Sequence, residues 1–223
     1  VALMPITGEA KTRPGLLENP EEGWRSTFQK SDEVADAGYY SVVLQDYGVR
    51  AELTATARVG YQRYTFPASE DSHILLNIGN RQGESGAVRD ARIEVVNPQT
   101  VQGYVVTEPE YVKKYQKGAS VPMYFYACFD TPFETTSVAY QDSVWREGNM
   151  IQGPGALMLL NYKTTQGQQI VAKIGLSYTS VENARLNLET EAENLTFDEA
   201  REQTQDKWRE QLGRIRVQGG TQD

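Results

Sequence analysis

The stretch that decides the fold is Gly38-Tyr39-Tyr40-Ser41-Val42-Val43-Leu44-Gln45-Asp46-Tyr47-Gly48-Val49-Arg50-Ala51-Glu52-Leu53-Thr54-Ala55-Thr56. In its second half Val49, Ala51, Leu53 and Ala55 alternate with Arg50, Glu52, Thr54 and Thr56. A period of two residues is that of a strand with one face on a core. Tyr40, Val42 and Leu44 begin the same pattern on the other side of Asp46-Tyr47-Gly48. Those three are turn residues, with glycine where a positive φ is needed, so the stretch reads as an antiparallel hairpin. Its expected core face is Val49, Ala51, Leu53 and Ala55.

Outward from the hairpin, short apolar runs recur between turn residues: 60–66, 73–78, 91–96, 101–107, 121–129, 137–140, 156–162 and 169–177. In the run 121–129, Val121, Met123, Phe125, Ala127 and Phe129 share a face, which puts Cys128 on the other. Many short strands at close spacing imply a sandwich or barrel. Before the hairpin, residues 9–37 are rich in Pro, Gly and charge. They read as a long connection anchored by Trp24 and Phe28. Val1 to Gly8 begins as if already inside a strand.

After Tyr178 the period changes. Thr179-Ser180-Val181-Glu182 and Thr196-Phe197-Asp198-Glu199 both have capping-box spacing, which predicts helices over 180–193 and 197–212. Val181, Ala184, Leu188 and Ala192 form one apolar stripe; Phe197, Ala200, Trp208 and Leu212 form another. A stripe ending in tryptophan needs a surface. Either the sandwich covers all of it, or part is left for another domain. The pattern is therefore mainly β, a sandwich or barrel followed by two C-terminal helices. Its expected limits are 1–178 for the sandwich and 179–223 for the helical segment.

The 223 residues are 39% hydrophobic, enough for one sizeable core and unlike a disordered tail. No run approaches the ~18 apolar residues of a membrane span, and no secretory leader precedes Val1, as in a mature chain or a fragment. A net charge of −8 without a basic cluster argues against nucleic-acid binding. One cysteine and one histidine leave no ligand set for structural zinc and only His73 as the base of a triad. No nucleophile motif accompanies His73, so a packed or hydrogen-bonded strand residue is expected. Cys128 reads as a buried, inert thiol. Asp46, and Asp130 with Glu134 around Pro132, read as turn residues, and the 30 Asp and Glu make chance carboxylate pairs uninformative. Gly79, Gly83 and Gly86 do not fit a phosphate-loop spacing; 79–86 reads as a flexible connection. Trp145-Arg146-Glu147-Gly148-Asn149 reads as a loop whose Trp either folds back on the core or serves a ligand.

The hairpin stretch closely resembles glycoside hydrolase family 92, the calcium-dependent α-mannosidases. So do Gly60-Tyr61-Gln62-Arg63-Tyr64-Thr65-Phe66-Pro67 with His73-Ile74-Leu75-Leu76, Lys173 to Ala184, and Trp208 to Gly220. Val1 to Glu9 resembles a segment well inside the family's first domain. The chain departs from the family at Gln62, where a histidine is common. The resemblance implies an exo-acting, inverting α-1,2-mannosidase that is bacterial and is secreted, periplasmic or on the cell surface. It implies an antiparallel β-sandwich of the supersandwich kind followed by two C-terminal linker helices, which lead to an (α/α)6 catalytic barrel that supplies acid, base and calcium, with α-mannoside glycans bound between. The sandwich loops nearest the sugar belong before Val1, so no catalytic or metal residue is assigned within this chain. No cofactor is expected in this portion, and alone it should be inactive. Tyr178, Asn183, Phe197 and Trp208 are the expected interdomain contacts. The competing reading is a free-standing carbohydrate-binding module. Coplanar exposed aromatics would favour that module, whereas apolar surface left open would favour the domain.

Overall fold

The computed structural model describes residues 2–16, 18–215 and 219. The strands of the first half are β1 (Ala2–Thr7), β2 (Val34–Asp36), β3 (Tyr39–Leu44), β4 (Val49–Ala55), β5 (Val59–Phe66), β6 (Ser69–Asn77), β7 (Ala87–Asn97) and β8 (Thr100–Glu108). Helix α1 (Glu110–Tyr115) follows, then β9 (Val121–Phe129), β10 (Thr135–Tyr140), β11 (Arg146–Glu147), β12 (Met150–Gln152), β13 (Ala156–Thr164) and β14 (Gln168–Ser177). Helices α2 (Val181–Ala192) and α3 (Phe197–Leu212) come last. The end of the expected 179–223 segment lies outside the described residues.

The strands form two sheets, β1-β6-β13-β10-β11 and β12-β7-β8-β9-β14-β5-β4-β3-β2, with antiparallel neighbours. Their facing sides share one core. Ile74, Leu76, Met158 and Leu160 from the small sheet meet Tyr64, Phe66, Phe125, Phe129 and Ile174 from the large one. This is the expected sandwich.

The hairpin forms as read: Leu44 pairs with Val49 and Tyr40 with Leu53, and Gly48 has φ +61°. Its core face needs correction at the far end. Val49 and Ala51 are buried and Leu53 is half-buried, but Ala55 is exposed. Ala55 instead borders an open groove beside α3. Glu52 and Thr54, on the side expected to face water, are buried. The sheet is covered on both faces here, because α3 packs over β4 and β5.

The small sheet is also covered outside. Trp24 joins Ile6, Leu75, Leu157 and Leu159 in a second core, with Trp145 against it. Trp24 is thus the expected anchor. Phe28 is not; it is 52% exposed. The neighbouring Thr27 is tied to the hairpin tip, where its carbonyl accepts from Gln45 N at 3.0 Å, and Phe28 is left at the rim. Helix α1 was not expected: six residues carry no readable period, although Glu110 at its start and Lys113 and Lys114 at its end suit the helix dipole.

The capping signals split. At α3 the box is complete: Thr196 Oγ1 accepts from Glu199 N, and Glu199 accepts from Thr196 N. At α2 the cap is Ser180, not Thr179; Ser180 Oγ accepts from Asn183 N at 3.1 Å. With Asn183 in the third helical position there is no carboxylate to return the bond. Thr179 instead accepts from Asn183 Nδ2 at 2.7 Å.

Candidate functional site

Helices α2 and α3 lie on the outer face of the large sheet. Gly175 lets α2 approach: a Cβ there would sit 2.2 Å from Ala184 O. Beneath the helices Tyr39, Val59, Tyr61, Leu188, Ala192, Phe197 and Ala200 form a third core. The first helical stripe is therefore covered at Ala184, Leu188 and Ala192, as its period requires.

Charged groups lock this contact. Arg63 on β5 donates to both oxygens of Glu52 on β4 at 2.9 Å and to Asp198 on α3 at 3.0 Å. Its guanidinium lies 4.2 Å from the Phe197 ring centroid, and Tyr39 OH donates to Glu52 at 2.8 Å. The Glu52 bonds hold Arg63 even further above its ordinary, always-charged range. Burial would raise Glu52, but the bonds from Arg63 and Tyr39 outweigh it and hold the carboxyl below its usual value. Glu191 on α2 accepts from Arg58 N at 3.0 Å, Arg58 Nε at 2.6 Å and Thr56 Oγ1. Lys173 Nζ donates to Ala192 O at 2.7 Å, placing a cation at the C-terminal end of α2. Burial lowers that amine below the usual lysine value.

Of the expected interdomain residues, Tyr178 and Asn183 are exposed and Trp208 is 48% exposed. Phe197 is corrected: at 4% exposed it is enclosed between helix and sheet under Arg63, so its contact lies within the chain. The second stripe is covered at Phe197 and Ala200 and uncovered beyond, with Leu212 63% exposed. Trp208 and Thr204 form one wall of a groove of about 840 Å3 whose other wall is Tyr40, Leu53, Ala55 and Gln62.

The remaining candidates have structural partners. His73 bonds Asn161 Oδ1 through Nδ1 at 2.9 Å and Gly8 O through Nε2 at 3.1 Å. Asp46 accepts from Thr27 N, at 2.6 Å, and from the Ser26 and Thr27 hydroxyls; the Thr27 amide above all lowers its pKa. Asp130 accepts from Val171 N at 2.9 Å. Trp145 folds back, with Nε1 donating to Ala10 O at 2.7 Å, and Arg146–Glu147 form β11 rather than loop. Cys128 lies on the expected side of β9 but is half-buried rather than buried, since the helices only partly roof it; burial pushes the thiol up. Among the described residues no three His, Cys, Asp or Glu converge as a metal site.

The N-terminal domain model of glycosyl hydrolase family 92 matches residues 1–177, four-fifths of this sequence. The chain belongs to family 92. The family's catalytic domain model matches 183–223, a span that takes in α3 and all of α2 but its first two residues. Among solved structures, the family GH92 α-mannosidase BT3965 of Bacteroides thetaiotaomicron matches 98% of the chain at 28% identity and a TM-score of 0.86. The same enzyme with mannoimidazole matches at 0.83. The inverting mannosidase BT2199 of the same organism, at 20% identity and TM-score 0.78, shares the fold. The chain spans only 27–29% of these proteins' own lengths. A comparison with curated protein sequences gave no match.

Proposed function

We propose that this chain is the sandwich portion of an exo-acting, inverting, calcium-dependent α-1,2-mannosidase. The observation that carries the reading is the lock between α3 and the sheet. The family's catalytic region begins on these helices; the Arg63–Glu52–Asp198 bonds tie α3 to the sandwich, and Glu191 with Arg58 and Thr56 ties α2 to it. The sandwich then acts as a brace that sets where a catalytic barrel stands and helps shape a site for α-mannoside glycans. The uncovered end of the α3 stripe supports a partner domain in the same polypeptide. Against a free-standing module, Tyr104 and Tyr124 on the outer sheet face are tilted by 55°, not coplanar.

The acid, the base and calcium would come from the catalytic region. The residues described here do not fit a calcium site, and no step of the reaction is assigned to them. The protein would be bacterial and work outside the cytoplasm: secreted, periplasmic or on the cell surface. The test compares this chain with a longer product of the same gene carrying a complete catalytic region. With α-1,2-mannobiose and calcium, this chain is expected to release nothing. The longer protein is expected to release mannose with inverted configuration, observed by NMR, and to lose activity to a chelator. Turnover by this chain that one carboxylate substitution abolishes would overturn the reading, as would inactivity of the longer protein on every α-mannoside.

A further inference from the structure

Between the α2–α3 elbow and the outer face of the large sheet lies a cavity of about 610 Å3, within the range of ordinary ligand pockets. Tyr126 and Val171 from the sheet and Leu188 and Phe197 from the helices give it an apolar lining. Lys173 on β14 and Asp130, just past the end of β9, line it too. Lys173 pairs across the strands with Cys128, and Asp130 lies two residues beyond Cys128 on the same side of the sheet. A cation and an anion thus stand diagonally, with Cα atoms about 7–8 Å apart. Among the described residues neither has an ion-pair partner. Lys173 Nζ donates to Ala192 O alone, and Asp130 Oδ1 accepts from Val171 N and Thr131 Oγ1, which leaves Oδ2 over.

We propose that this cavity binds a free α-amino acid with an apolar side chain. Such a molecule carries a carboxylate and an ammonium on one carbon, so it can join two opposite charges that do not reach each other. Its carboxylate meets Lys173, its ammonium meets Asp130, and its side chain lies against Val171, Leu188 and Phe197. The other charges narrow the choice. Asp198 is held by Arg63 and Glu189 by Arg185. Glu193 also lines the cavity, has no ion-pair partner among the described residues, and adds a second acceptor for an ammonium. A ligand with only a carboxylate would face Asp130 and Glu193 with like charge, and one with only an amine would leave Lys173 unanswered.

The cavity is also held in shape. The capping box of Thr196 and Glu199 fixes the start of α3, and the bonds from Arg58 and Thr56 to Glu191 fix the end of α2. The bond to Ala192 O orients the Lys173 amine and leaves two of its three donors for a ligand. Burial lowers the pKa of that amine, and a carboxylate brought against it would favour the charged form again. A bound amino acid would touch the sheet and both helices at once, so its binding would stiffen the elbow between them. Nothing in this site depends on the mannosidase reading, so the two stand or fall separately.

Amide NMR titrations of this chain with L-phenylalanine test it, beside 3-phenylpropanoate and 2-phenylethylamine, which keep the ring and each lack one charge. Phenylalanine is expected to bind with Kd on the order of millimolar, with shifts confined to 126–130, 169–173 and 188–198. It should also slow alkylation of Cys128, the chain's one thiol, which lies between the two charges. Each analogue should bind about tenfold more weakly, the loss of one charged hydrogen bond. Asp130→Asn keeps the acceptor for Val171 N and removes the charge; it and Lys173→Met should each weaken phenylalanine binding about tenfold, and Lys173→Arg should retain it. Glu84→Gln, exposed and outside the cavity, should change nothing. The amide spectrum of each variant verifies its fold; if Lys173→Met does not fold, Asp130→Asn and the two analogues decide. No binding of phenylalanine, equal binding of either analogue, shifts elsewhere, or indifference to Asp130→Asn would overturn the site.

Discussion

Glu52 points to the side of β4 that an alternating strand gives to water, yet its side chain is only 8% exposed. Arg63 makes that burial tolerable by supplying charge and two hydrogen bonds. Removing one partner of a buried pair costs more than the pair contributes, because the other charge is left stranded. Arg63→Met is therefore expected to lower stability by about 3 kcal/mol at pH 7. Asp198→Ala removes the 72% exposed partner of the same arginine and should cost less than about 1 kcal/mol. The pH dependence separates the causes. In the native chain Glu52 has a depressed pKa, so its stabilisation is full above the unfolded value and fades as pH falls through the folded one. In Arg63→Met the arginine's bonds and charge are gone, and burial is opposed only by the Tyr39 bond and the Arg50 charge, so that pKa rises and the folded state takes up the proton more readily as pH falls. Urea midpoints should thus differ most at neutral pH and converge towards pH 4. A gap that stayed constant would show that the arginine acts through packing alone.

At the scale of elements, α2 sits where it does because β14 carries a glycine beneath it. A Cβ on Gly175 would meet backbone, Ala184 O at 2.2 Å, and also Leu188 Cβ at 2.9 Å, and backbone cannot swing aside. Gly175→Ala is expected to lift the helix and cost about 1–3 kcal/mol, read as a lower urea midpoint. Gly60→Ala is the control: nothing lies within 4 Å of its Cβ position. It should change stability by less than about 0.5 kcal/mol. A neutral Gly175→Ala would mean that α2 rests on the sheet more loosely than drawn. The helix itself was legible, because Ala184, Leu188 and Ala192 recur at four-residue steps. Its seat was not, since one glycine in a strand says nothing about what approaches it. Helix α1, β2, β11 and β12 escaped for a different reason. Strands of two or three residues and a helix of six contain too few positions to show their periods.

Across the whole molecule, both sheets are covered on their outer sides, the small one by the connection carrying Trp24 and the large one by α2 and α3. The sequence shows the alternation of β4 but not that a helix about 150 residues later buries Glu52 and Thr54. Tyr178 and Trp208 are 69% and 48% exposed and belong to none of the three cores. The remaining question at this scale is what meets the outer end of α3. Trp208, Leu212 and Ile215 are 48%, 63% and 82% exposed, and the groove beside Trp208 is open. On the proposed reading a catalytic region in the same polypeptide covers them. Trp208→Ser with Leu212→Ser should then lower the stability of this chain by less than about 1 kcal/mol, as for exposed positions. In the longer protein the same pair would open a cavity in a packed interface and should cost about 3 kcal/mol or more. Calorimetry of both proteins with and without the two substitutions decides it. An equal loss in both would place the side chains in packing within this chain, and no loss in either would leave that face in water.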